Sequence, residues 1–138
     1  MDEDRRMDQN RRTEPDYYRS DAPQSTAVAA LRGPAVLEFG TNWCGHCLLA
    51  RPFVERALAG APGIRHLKIE DGPGRALGRA YRVKLWPTLV FLRDGVELAR
   101  VVRPLGAGAI AAALDRIHAT DAAAETDAAA EVASPRDS

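Results

Sequence analysis

Two cysteines stand three positions apart in the run Trp43-Cys44-Gly45-His46-Cys47. A pair at this spacing can hold a metal, form a structural disulfide, or cycle between dithiol and disulfide. Zinc needs two further ligands. His46 lies between the cysteines, His66 is distant on a separate segment, and there is no second Cys-x-x-Cys. A disulfide closing so short a loop constrains little. The redox cycle is therefore preferred, with no metal and no organic cofactor. If a helix begins at this point, Cys44 sits at its N-terminus, where unpaired N–H groups and the macrodipole favour a thiolate. Cys44 is then the exposed attacking sulfur. Cys47, one turn inside and less exposed, resolves the mixed disulfide. Gly45 leaves the entry open. A protonated His46 places positive charge beside the thiolate, favours the reduced state and makes the pair more oxidising.

The positioning elements follow from hydrophobic period and turn chemistry. Tyr17-Tyr18 is expected as a short first strand. A helix is expected over Ala22–Leu31, capped by Ser20 or Asp21, with Pro23 in its first turn and Gly33 ending it. Ala35-Val36-Leu37-Glu38-Phe39 is an apolar run broken by one acid, the pattern of a buried central strand. Leu49, Phe53 and Ala57 continue a helix from Cys44 to Ala59 with Pro52 inside it, where a kink is expected. Ile64 to Ile69 is a second core strand, and residues 75–81 a short helix. Thr88–Leu92 and Val96–Val102 flank Arg93-Asp94-Gly95, a hairpin signal. Ile110, Leu114 and Ile117 stripe a closing helix. The order β α β α β α β β α implies an α/β fold, a mixed sheet with helices on both faces.

Length and charge bound the class. The chain has 138 residues, enough for one domain. Its 19 basic and 19 acidic residues cancel, which argues against a nucleic-acid binder. The balance is uneven: residues 1–25 are net −2, residues 119–138 net −4, and the stretch between them net +6. Residues 1–15 read as a disordered arm, 16–118 as the folded domain, and 119–138 as an Ala- and acid-rich tail. The first ten residues lack the apolar stretch of ~7–15 residues that a signal peptide requires. No apolar run approaches the ~18 residues needed to span a bilayer. A cytoplasmic setting without membrane contact is the expectation.

The combined pattern resembles the thioredoxin family. It comprises Val36-Leu37-Glu38-Phe39, Trp43-Cys44-Gly45-His46-Cys47, Pro52 in the following helix and Trp86-Pro87-Thr88 downstream. The Cys-Gly-His-Cys wording is similar to the active domains of protein disulfide isomerase. The resemblance covers residues 16–118 and implies a thioredoxin fold with a central five-stranded mixed sheet. It implies that Pro87 is the cis-proline facing the cysteines, in a loop that pairs with a substrate strand. It implies that Glu38 is the buried acid beneath the resolving cysteine, which takes up and returns its proton. Trp43 is the aromatic beside the site, and Trp86 precedes the cis-proline where substrate side chains pass. His66 stands where many members have a lysine near the buried acid. Arg103-Pro104 replaces the usual glycine that lets a partner approach.

The activity implied is thiol–disulfide oxidoreduction on protein disulfides, serving cell redox homeostasis. The protein is expected as a monomer recycled by an external reductant such as a thioredoxin reductase or glutathione. Gly45-His46 in place of Gly-Pro leaves the direction of electron flow open. Family potentials differ by about 90 mV, on the order of 4 kcal/mol. The rival reading is a thioredoxin-like redox-sensing binding module or chaperone, with a client held around Trp43, Trp86 and Pro87.

Overall fold

The computed structural model describes residues 17–118. The expected N-terminal arm and C-terminal tail lie outside the described residues. The elements are α1 (Ser25–Ala29), β1 (Pro34–Gly40), α2 (Gly45–Ala59), β2 (Arg65–Glu70), α3 (Ala76–Ala80), β3 (Thr88–Arg93) and β4 (Val96–Val102). A closing helix, α4, runs over residues 108–118. No helix among the described residues is long and apolar enough to cross a membrane.

The sheet has the order β2-β1-β3-β4. β1 pairs parallel with β2 and antiparallel with β3, and β3 pairs antiparallel with β4. This is a mixed sheet with the apolar β1 inside it. The β3–β4 turn carries Asp94 at φ 51° and Gly95 at φ 79°. Two consecutive left-handed residues match the twist of a tight hairpin.

Alternation along the strands sorts the core into two layers. Val36, Leu89 and Phe91 pack with Ala50 and Val54 of α2 and with Ile110, Leu114 and Ile117 of α4. Ala35, Leu37, Phe39, Val90 and Leu92 face the other way, onto Val28 of α1 and Leu77 of α3. Glu38 shares the parity of Val36, so it points into the layer beneath α2. His66 and Lys68 of β2 lie in register with Val36 and Glu38. They join the same face.

Two expectations are corrected. The first strand is reduced to a single parallel bridge between Arg19 and Ile69, so the sheet has four strands and not five. The reason lies in Tyr18. Its N–H donates to Asn42 Oδ1 at 2.9 Å and its carbonyl accepts from Asn42 Nδ2 at 3.2 Å, which removes it from strand pairing. The first helix is confined to Ser25–Ala29, with Gln24 as an N-cap that makes no side-chain bond. The helix starts several residues beyond the expected caps, and Asp21 pairs instead with Arg19 at 3.1 Å.

Candidate active site

The site lies where β1 gives way to α2. Gly45 opens the helix and Cys44 is its N-cap, in extended backbone at φ −85°, ψ 122°. The Cys47 N–H donates to Cys44 Sγ at 3.3 Å. One of the donors that a helix start leaves unpaired therefore points at the sulfur, where a negative charge would accept it most strongly. The Cys44 N–H in turn donates to the Thr41 carbonyl at 3.3 Å. Both cysteines are unpaired thiols.

Cys44 is less open than expected, at 9% exposure, whereas Cys47 is fully enclosed at 0%. The order of accessibility is as expected, but the attacking sulfur is nearly covered. Cys44, Cys47 and Tyr18 form one buried cluster, with Tyr17 and Trp86 packed against it. Burial first, and then the bond with Cys44, push the Cys47 thiol up to about 11. A desolvated sulfur keeps its proton because the thiolate loses hydration.

Glu38 is entirely buried. Its carboxylate gathers three partners: Tyr17 donates to Oε1 at 2.9 Å, His66 Nε2 lies 2.8 Å from the same oxygen, and the Tyr18 hydroxyl donates to Oε2. The acid is thus saturated with hydrogen bonds, as buried polar groups must be. Burial, with the charge of Glu38 next, holds both tyrosine hydroxyls protonated far into the alkaline range. The Tyr17 ring is flanked by cations, with Arg51 Cζ 3.8 Å and Lys68 Nζ 4.5 Å from its centroid.

Tyr18 reaches further. Its ring and hydroxyl pack beside the Cys47 thiol in the same buried cluster. The two groups converge on the space above Gly40. A Cβ at that residue would stand 2.6 Å from Tyr18 Cζ and 2.7 Å from both Cys47 Sγ and the Tyr18 oxygen. Only glycine leaves that space free.

The opposite wall is the loop before β3. The Trp86–Pro87 peptide is cis, and Pro87 is buried. Trp43, 74% exposed, meets Trp86 edge to face with centroids 5.8 Å apart. Trp86 Nε1 donates to Asp71 Oδ2 at 2.8 Å, which fixes that ring. The Arg103 N–H donates to the Pro87 carbonyl, and Arg103 Nε to the Trp86 carbonyl, each at 2.9 Å. The carbonyl preceding the cis-proline is therefore already engaged on one of its two lone pairs. Gly45 and His46 are exposed at the mouth, and no Cβ at Gly45 would touch anything within 4 Å.

The structure thus brings together Cys44, Cys47, Trp43 and Trp86 on one side, and Glu38 with His66 beneath. Sequence reasoning missed four contributors. Tyr17 and Tyr18 read as strand residues, although a buried tyrosine generally needs a partner for its hydroxyl. Gly40 read as the end of a strand, and nothing in the sequence distinguished Asp71.

Comparison with known proteins agrees with this geometry. The thioredoxin family model matches residues 19–116. A thioredoxin of Chlamydia pneumoniae is 34% identical over 70 residues, covering 51% of this chain and 69% of that protein. A thioredoxin H-type of Fagopyrum esculentum is 28% identical over 67 residues, which span 49% of this chain and only 58% of its own length. The structure of reduced thioredoxin 2 from Pseudomonas aeruginosa PAO1 superposes with a TM-score of 0.67 at 50% identity, over 73% of this chain and 94% of that one. The matched region takes in the whole sheet and both cysteines, so this chain belongs to the thioredoxin family of thiol–disulfide oxidoreductases.

Proposed function

We propose that the protein reduces or exchanges disulfides in protein substrates through its Cys44/Cys47 dithiol. The observation that supports this most directly is the graded pair: a marginally accessible sulfur at a helix N-terminus, with a sealed thiol one turn behind it. Cys44 attacks a substrate disulfide and forms a mixed disulfide. Cys47 then attacks Cys44, the substrate sulfur leaves with the electron pair, and the enzyme is left oxidised. Glu38 takes the proton that Cys47 must lose. His46 is exposed at the mouth beside Cys44.

The substrate enters between Trp43 and the Trp86-Pro87 loop. An extended segment there pairs with the backbone preceding Pro87, using the lone pair of the Trp86 carbonyl that Arg103 leaves open. A thioredoxin reductase or glutathione returns the pair to the dithiol in a reducing cytoplasm. The test is insulin reduction with a dithiol as electron donor. The parent accelerates precipitation of the insulin B chain and Cys44→Ser does not. Equal rates for the two proteins would refute the reading.

A further inference from the structure

Thiol exchange at this site has a difficulty that the buried acid alone does not resolve. Cys47 is enclosed, and its thiol is held up to about 11. Near neutral pH only about one molecule in 10⁴ would carry the thiolate spontaneously. The proton must leave during the attack, through the protein. The group that lies between Cys47 and Glu38 is the Tyr18 hydroxyl, which bonds Glu38 and converges with the Cys47 sulfur on the space above Gly40.

We propose that Tyr18 relays the proton between Cys47 and Glu38. The inference rests on the oxidoreductase reading above. In the resolving step the Cys44–Cys47 bond forms and the bond from Cys44 to the substrate sulfur breaks. The electron pair of the broken bond leaves on the substrate. As this happens, the Cys47 proton passes to the Tyr18 oxygen while the Tyr18 hydroxyl proton passes to Glu38 Oε2. Tyr18 is neutral before and after. A tyrosinate is never needed, which matters because burial beside Glu38 strongly disfavours one. When an oxidised site is reduced, the same path runs backwards and returns a proton to Cys47.

The path has an outlet. His66 Nε2 touches the other oxygen of Glu38 at 2.8 Å, and the His66 side chain is 16% exposed. The wire therefore runs Cys47, Tyr18, Glu38, His66, solvent. Its surroundings are defined. Tyr17 donates to Glu38, Arg51 from α2 and Lys68 from β2 flank the Tyr17 ring, and the charge of Glu55 on α2 also acts on Tyr17. The Tyr18 backbone is held at both its N–H and its carbonyl by Asn42. Gly40 gives the hydroxyl and the sulfur room to meet.

The test separates the two thiol steps in the full chain. Reduced protein is mixed with excess 5,5′-dithiobis(2-nitrobenzoate). Cys44 releases the first thionitrobenzoate, and Cys47 releases the second by closing the disulfide. In Tyr18→Phe, which keeps the ring, the second release slows by roughly 100-fold at neutral pH, the low end for positioned proton transfer. The first release is unchanged, and the deficit closes as pH rises toward the Cys47 value. An unaltered second phase, or both phases slowed equally at every pH, would overturn the relay. A parent lacking the second phase would overturn the oxidoreductase reading and the relay with it. If Tyr18→Phe does not fold, the parent alone decides. In mixtures of H₂O and D₂O its second phase bows below a straight line when two protons move together, and a straight line refutes the relay.

Discussion

Replacing Gly40 by alanine should destabilise the reduced protein, the reverse of what this substitution does at most positions of ordinary backbone. Gly40 is not among the glycines of positive φ, so alanine meets no backbone strain there. Reduced unfolded-state entropy alone would favour alanine by about 0.4–1 kcal/mol. The added Cβ would lie 2.6 Å from Tyr18 Cζ and 2.7 Å from Cys47 Sγ. Optimal separations are about 3.5–4.0 Å, so each contact is about 1 Å too short. Neither neighbour yields easily. Tyr18 is tied to Asn42 and Glu38, and Cys47 lies in the first turn of α2. Overpacking costs about 1–3 kcal/mol. Displacing the hydroxyl from a buried carboxylate costs about 1–3 kcal/mol more. The net loss is about 1–5 kcal/mol, a fall in Tm of roughly 5–30 °C for a domain of this size. Thermal unfolding followed by circular dichroism, with a non-thiol reductant present, reads it directly. Gly45→Ala serves as the control, since nothing lies within 4 Å of its Cβ. A Gly40→Ala protein melting at or above the parent temperature would refute the packing argument.

Alkaline titration probes Cys47 by itself. Its folded value is raised from 9.0 to about 11. The thiol therefore contributes stability that is complete below about pH 9 and is lost as pH rises through about 11, at most about 3 kcal/mol. Urea unfolding of the reduced parent against Cys47→Ser isolates it from the tyrosines, and a difference that stays flat over this window contradicts the expectation. Gly78→Ala would place a Cβ 1.9 Å from Asp71 Oδ1, driving the carboxylate away from Trp86 Nε1. The tryptophan emission should shift and KM for a protein disulfide should rise, with the small-molecule dithiobis reaction unaffected; an unchanged KM would show that Asp71 does not hold the Trp86 wall. Gly95→Ala combines φ 79° with a Cβ 2.0 Å from the Ala29 carbonyl oxygen, so a loss above about 2 kcal/mol in chemical unfolding is expected, and a loss under about 1 kcal/mol refutes the contact.

Period and turn chemistry carried most of the architecture. The apolar β1 with its single acid, the Asp94-Gly95 hairpin and the Ile110, Leu114, Ile117 stripe were legible because each depends on neighbours a few residues apart. The parity that sends Glu38 to the face of Val36 is likewise local. Where local signals competed with remote partners they failed. Asp21 looked like a cap but pairs with Arg19, and Tyr18 looked like a strand residue until Asn42 took its backbone.

For the site, the chemistry of the two sulfurs was written in their spacing and in the helix that begins between them. What covers Cys44, what saturates Glu38 and what touches Cys47 depended on residues 15 or more positions away: Tyr17 and Tyr18 from before α1, His66 from β2, and Asp71 and Trp86 from either side of α3. One strand's alternation aims a side chain but does not name its partner. The partner is chosen by which segments the sheet and helices lay side by side, and burial then makes each such contact count, because a polar group removed from water must find its hydrogen bonds within the protein.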